Sequence, residues 1–86
     1  MHRFRVYEAS AKGEEIALVD NQGSHHVART AGRVPPVGTE LDGPRGSRKL
    51  VRLLCTATGR SFRLAFVAMN CDRQATLDRL HPQLTR

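Results

Sequence analysis

Residues 14–30 read EEIALVDNQGSHHVART, and the turn at their centre decides the topology of the first half of the chain. Asn21, Gln22 and Gly23 suit a type I turn closed by a glycine in the left-handed region, the three-residue hairpin with a bulge. Such a turn sets Asp20 opposite Ser24, and the ladder follows residue by residue. Val19 faces His25, Leu18 faces His26, Ala17 faces Val27, Ile16 faces Ala28 and Glu15 faces Arg29. A slip of one residue would send every side chain to the wrong face, so the turn chemistry carries the register. Glu15 opposite Arg29 supports it modestly through opposite charge.

Outward from this hairpin the same period-2 logic applies. In RFRVYE, residues 3–8, Phe4 and Val6 share one face, and Arg3, Arg5 and Tyr7 the other. AGRVPPVG (31–38) is a connector, because Pro35 and Pro36 cannot donate to a ladder. TELDG (39–43) is a short strand with Leu41 as its buried residue. Residues 49–56 and 60–69 form a second hairpin around Ala57, Thr58 and Gly59. In the last strand Phe62, Leu64, Phe66 and Ala68 line one face, and Arg63, Ala65, Val67 and Met69 the other. The pattern then becomes helical over about 72–80, with Asn70 or Asp72 as N-cap and Pro82 ending it. Leu77 and Leu80, flanked by Ala75 or Leu84, are expected to dock on the sheet, and a short tail occupies 82–86. The expected fold is mainly β, a small antiparallel five- to six-stranded barrel or strongly bent sheet with one short C-terminal helix. An open antiparallel sheet with the helix across one face is the alternative.

The chain of 86 residues is expected to form one small barrel-like domain over 1–86. Its hydrophobic (40%) and charged (26%) fractions lie in the globular range. Four aromatic rings, Phe4, Tyr7, Phe62 and Phe66, leave the core to Val, Leu, Ile and Ala. No apolar run suggests a signal peptide or a membrane span. Two cysteines, Cys55 and Cys71, are too few for a disulfide framework, so reduced thiols and a cytoplasmic setting are expected.

The net charge of +6 is confined to one third of the chain. Residues 43–71 hold Arg45, Arg48, Lys49, Arg52, Arg60 and Arg63 and not one acid, whereas the rest holds eight basic and eight acidic residues. A phosphate backbone asks for several Lys or Arg together with small residues that let backbone N–H groups approach. GPRGSRKLVR (43–52) meets both demands, with Gly43 and Gly46 among its cations. The expected partner is therefore nucleic acid, gripped without sequence specificity through its phosphates by those six residues. The rings that single-strand binders use for stacking are missing, apart from Tyr7 beside Arg3 and Arg5. Solubilising charge is the plain alternative, since twelve of the fourteen basic residues are Arg, a bias that a GC-rich genome produces. The alternative function is a protein-interaction or homodimerisation module using the apolar strands 50–55 and 62–69.

Catalysis is not expected. DNQGSHH (20–26) places Asp, Ser and two His together, but His25 and His26 point to opposite faces, and Asp20 and Ser24 more naturally cap the turn. No nucleotide loop of the GxxxxGK[ST] kind is present, and no cofactor is implied. A zinc site would have to gather His25 or His26 with Cys55 and Cys71 from separate elements, without the close-spaced ligand pairs that zinc sites favour. The expectation is a binding module rather than an enzyme.

Overall fold

The computed structural model describes residues 2–44 and 50–82. Its elements are β1 (His2–Ala9), β2 (Glu15–Asp20), β3 (His25–Ala31), β4 (Glu40–Gly43), β5 (Leu50–Cys55), β6 (Arg60–Cys71) and the helix α1 (Arg73–Leu80). The strands close into an antiparallel barrel in the order β1-β2-β3-β6-β5-β4. Two three-stranded meanders are thus joined along β3–β6 and β1–β4, and closure leaves no long sheet edge open.

The first hairpin forms as its turn chemistry dictates. The Gly23 N–H donates to the Asp20 carbonyl at 3.0 Å, and Gly23 takes φ of 85°. The ladder from Glu15–Arg29 to Val19–His25 has the register expected from the turn. Asp20 fixes the turn further, its Oδ1 accepting from the N–H groups of Gln22 (2.9 Å) and Ser24 (3.0 Å). The connector after β3 lies along β1, where the Gly38 N–H donates to the Val6 carbonyl and the Val6 N–H to that of Thr39.

Inside the barrel, Phe4, Val6, Ile16, Leu18, Ala28, Leu41, Leu53, Cys55, Phe62, Leu64 and Phe66 form the main core. A smaller cluster lies outside it, where α1 covers the β2–β3 surface: Ala17, Val27 and Leu80, with Tyr7, Val67 and Ala68 against them. Burying Leu80 there contributes about 1.5–3 kcal/mol, which holds a helix too short to persist alone.

Some details depart from the pattern expected of regular strands and an apolar helix face. Ala68 lies in the outer cluster and Met69 packs on the inner core, because β6 bulges against β3 between the pairs Ala28–Phe66 and His25–Cys71. Asn70, at φ 54°, sits within that bulge. The helix turns Thr76 and Leu80 inward and leaves Ala75 exposed. Thr76 tolerates burial because its hydroxyl donates to the Asp72 carbonyl at 2.9 Å. The N-cap is Asp72, accepting from the Ala75 N–H, so Asn70 is the bulge residue and not the cap. Gln83–Arg86, including Leu84, lie outside the described residues.

Candidate functional site

Register assembles the outer surface of β5 and β6 from three transverse rows. Arg52 pairs directly with Arg63, and Arg63 in turn with Ala31 of β3. On one side Leu54 pairs with Ser61, and on the other Leu50 with Ala65. Helix α1 packs on β2 and β3 and does not reach these rows. Leu50 is therefore 52% exposed and Leu54 42% exposed, flanking Arg52 on one outward strand face.

Two like charges placed directly opposite in a ladder repel. Elsewhere on the barrel, three cations are matched by acids: Arg3, Arg29 and Arg79. Arg3 binds both carboxylate oxygens of Asp42, at 2.9 and 3.4 Å. Arg79 binds both of Glu15, at 3.1 and 3.0 Å, and Arg29 also lies 3.6 Å from Glu15. The Arg3 guanidinium holds the Asp42 carboxyl below its ordinary value against the opposing effect of burial. Arg52, Arg60 and Arg63 have no acidic partner among the described residues. The nearest acid along the ladder, Asp42 opposite Leu54, is already committed to Arg3.

The β3–β6 pairing adds a residue outside the acid-free window. Arg33 lines a shallow cleft with Ala31, Gly32, Ser61, Phe62 and Arg63. A second cleft is lined by Leu50, Val51, Arg52 and Arg63, so Arg63 borders both. Arg60 does not share this face: it has the inward parity of Phe62 and Leu64 and stands exposed at the barrel end, opposite Cys55. Arg45, Gly46, Arg48 and Lys49 lie outside the described residues. Gly43 has a packing role, because a Cβ there would collide with Leu53 Cδ2 and press on the Arg52 carbonyl at 3.3 Å. Its missing side chain lets β4 approach β5.

The aromatic rings are committed elsewhere. Phe4, Phe62 and Phe66 are core residues. Tyr7 bonds His25 Nδ1 at 2.9 Å, packs edge-on against that imidazole at 5.3 Å, and has the Arg73 guanidinium 5.2 Å from its ring centre. Burial pushes the Tyr7 phenol above its ordinary value, against the opposing pull of a hydrogen bond with Thr76 and of the Arg73 cation.

His25 and His26 diverge. His26 Nε2 lies 2.9 Å from Asp20 Oδ2, and its Nδ1 accepts the Asn70 N–H at 3.2 Å. Since Nδ1 is an acceptor, the proton resides on Nε2 and is donated to the carboxylate. Burial raises the Asp20 carboxyl, but hydrogen bonds from His26, Ser24 and Gln22 outweigh it and hold the group below its ordinary value. Both imidazole nitrogens are thus spent on the fold, and neither remains to activate a nucleophile. This dyad escaped the sequence reading, although the hairpin register carries it: Asp20 and His26 share the inward parity of Leu18 and are diagonal neighbours across β2–β3.

Of the residues a zinc site would have to gather, His25 and Cys71 are ladder partners, but Cys55 does not join them. Cys55 pairs with Arg60 at the start of β6 and Cys71 is the last residue of that strand, while both ring nitrogens of His26 are hydrogen-bonded. Among the described residues no three His, Cys, Asp or Glu side chains cluster as metal ligands. Cys55 lines a cleft with Thr39, Ala57 and Thr58, and a hydrogen bond with Thr58 draws its thiol below the ordinary value. No helix among the described residues is long and apolar enough to cross a membrane. No protein-family model, curated protein or solved structure matches the chain.

Proposed function

We propose that the protein is a non-enzymatic nucleic-acid-binding module that grips phosphates through the outer β5–β6 surface. The observation that carries this reading is the Arg52–Arg63 pair, two unmatched cations opposed across one ladder, with Arg33 on an adjoining cleft. That arrangement is mildly unfavourable in the free protein, and a bound polyanion relieves it. The guanidinium fork suits phosphate oxygens, and the open clefts give those oxygens room.

Three phosphate contacts predict a definite salt dependence. Affinity falls with a log–log slope of about −2.7, roughly forty-fold between 50 and 200 mM salt. In the Arg52→Gln/Arg63→Gln variant one contact remains, and the same change in salt costs only about 3.5-fold. The test is fluorescence anisotropy with a labelled 20-base-pair duplex at both salt concentrations. Equal affinity and equal slope for the variant and the native protein would refute the reading.

A second reading rests on Leu50 and Leu54, whose exposure on either side of Arg52 fits an acidic, partly apolar protein segment. Self-association through this face is disfavoured, because two copies would bring four arginines together. Changing both leucines to Ser leaves phosphate binding intact on the first reading and abolishes partner binding on the second.

A further inference from the structure

Resting on the phosphate reading above, the geometry points to double-stranded rather than single-stranded nucleic acid as the partner of the β5–β6 face. A protein that holds a single strand needs rings on which unstacked bases lie, each worth about 1–3 kcal/mol. Among the described residues this surface offers no exposed ring: Phe62 borders the Arg33 cleft but is only 4% exposed. The three phenylalanines are inside the barrel. Tyr7 is taken up by His25 and Arg73 beneath α1, in the outer cluster with Val67 and Ala68, several residues along β6 from Arg63. What the face offers instead is guanidinium groups on the exterior of a closed barrel, with shallow clefts and, among the described residues, no deep channel for a strand to thread.

A duplex suits that surface because its bases are already stacked and its phosphates face outward. It also releases more counterions for each phosphate neutralised, with a slope near −0.9 per contact against about −0.7 for a single strand. Three contacts with either partner, taken as equal in affinity at 1 M salt, give about a six-fold preference for duplex at 50 mM salt. Base identity is expected to have no effect, since no side chain on the face is placed to stack on a base.

The test titrates the intact protein at 50 mM salt with a 20-base-pair duplex, a 20-mer of dT and an abasic single strand of equal length. Tyrosine emission is followed alongside anisotropy, because Tyr7 is the one Tyr in the chain and there is no Trp. The expected result is tightest binding to duplex, single strands several-fold weaker and equal to one another, and tyrosine emission unchanged. Single-strand affinity equal to or above duplex affinity, or a loss of affinity on removing the bases, would overturn this inference and leave the phosphate reading standing. Failure of all three to bind would overturn the phosphate reading itself.

Discussion

Replacing Gly43 by Ala isolates one packing contact and separates structure from binding. Gly43 does not have a positive φ, so alanine is not barred by backbone conformation, and the penalty is steric. The added Cβ meets Leu53 Cδ2, within a core where Leu53 is fully buried, and the Arg52 carbonyl at 3.3 Å. Overpacking of this kind costs about 1–3 kcal/mol. The loss of glycine's freedom in the unfolded chain returns about 0.4–1 kcal/mol. The difference is a net loss centred near about 1.3 kcal/mol, with an upper bound of about 2.6. The central value lowers the midpoint of thermal unfolding by roughly 5–10 °C for a chain of this size. Urea and thermal unfolding followed by circular dichroism measure it. Leu53→Val removes the offending Cδ atom, so the double variant is expected to lose less stability than the sum of the two single changes. A Gly43→Ala protein as stable as the native one, or strict additivity in the cycle, would refute the close β4–β5 approach. Loss of duplex affinity in folded Gly43→Ala protein would assign the glycine to the ligand instead.

Other consequences are equally direct. Asp20 is held below its ordinary value when folded, so its contribution is present above the unfolded carboxyl value of about 3.9 and is lost as pH falls through the lower folded one. Thermal unfolding across pH 2 to 7 should therefore show an acid-side decline that is shallower in Asp20→Asn; an unchanged acid limb would contradict the assignment. His26→Leu leaves Asp20 Oδ2 and the Asn70 N–H unpaired, each orphaned group costing about 1–3 kcal/mol, so urea midpoints should fall markedly. Arg63→Gln should weaken duplex binding without destabilising the free protein at low salt, because it removes a like-charge opposition. A clear loss of stability in that variant would show Arg63 to be structural.

The parts of the fold legible in the sequence were those governed by local chemistry. The turn at Asn21–Gly23 dictated the β2–β3 register, and Asp72 was one of the two N-caps the helix signals allowed. Strand alternation placed Phe62, Leu64 and Phe66 inside. What escaped was set by pairings distant in sequence. The bulges of β6 arise only against β3, and they turn Ala68 outward and Met69 inward. An apolar rule chose Leu77 and Leu80 for the helix interface, with Ala75 or Leu84 at the flank. Leu80 is buried there, but Leu77 is only half-buried, Ala75 is exposed, and Thr76, its hydroxyl satisfied by Asp72, takes the second buried place. At the candidate site, a count of charge along the chain found Arg52 and Arg63 but could not show them opposed. It also missed Arg33, which only the β3–β6 pairing brings to the same surface. Gly43, expected beside phosphate, is explained by its contact with Leu53.

The place where duplex meets the barrel is tested best by amide mapping. A nitrogen-15-labelled sample titrated with the 20-base-pair duplex at 50 mM salt gives one signal for each backbone amide outside the prolines and the N-terminus. Shifts confined to residues 31–33, 50–54 and 61–65 among those described, graded with salt, are expected. Shifts centred on α1 and the Tyr7 cluster, with the β5–β6 signals unmoved, would contradict that placement.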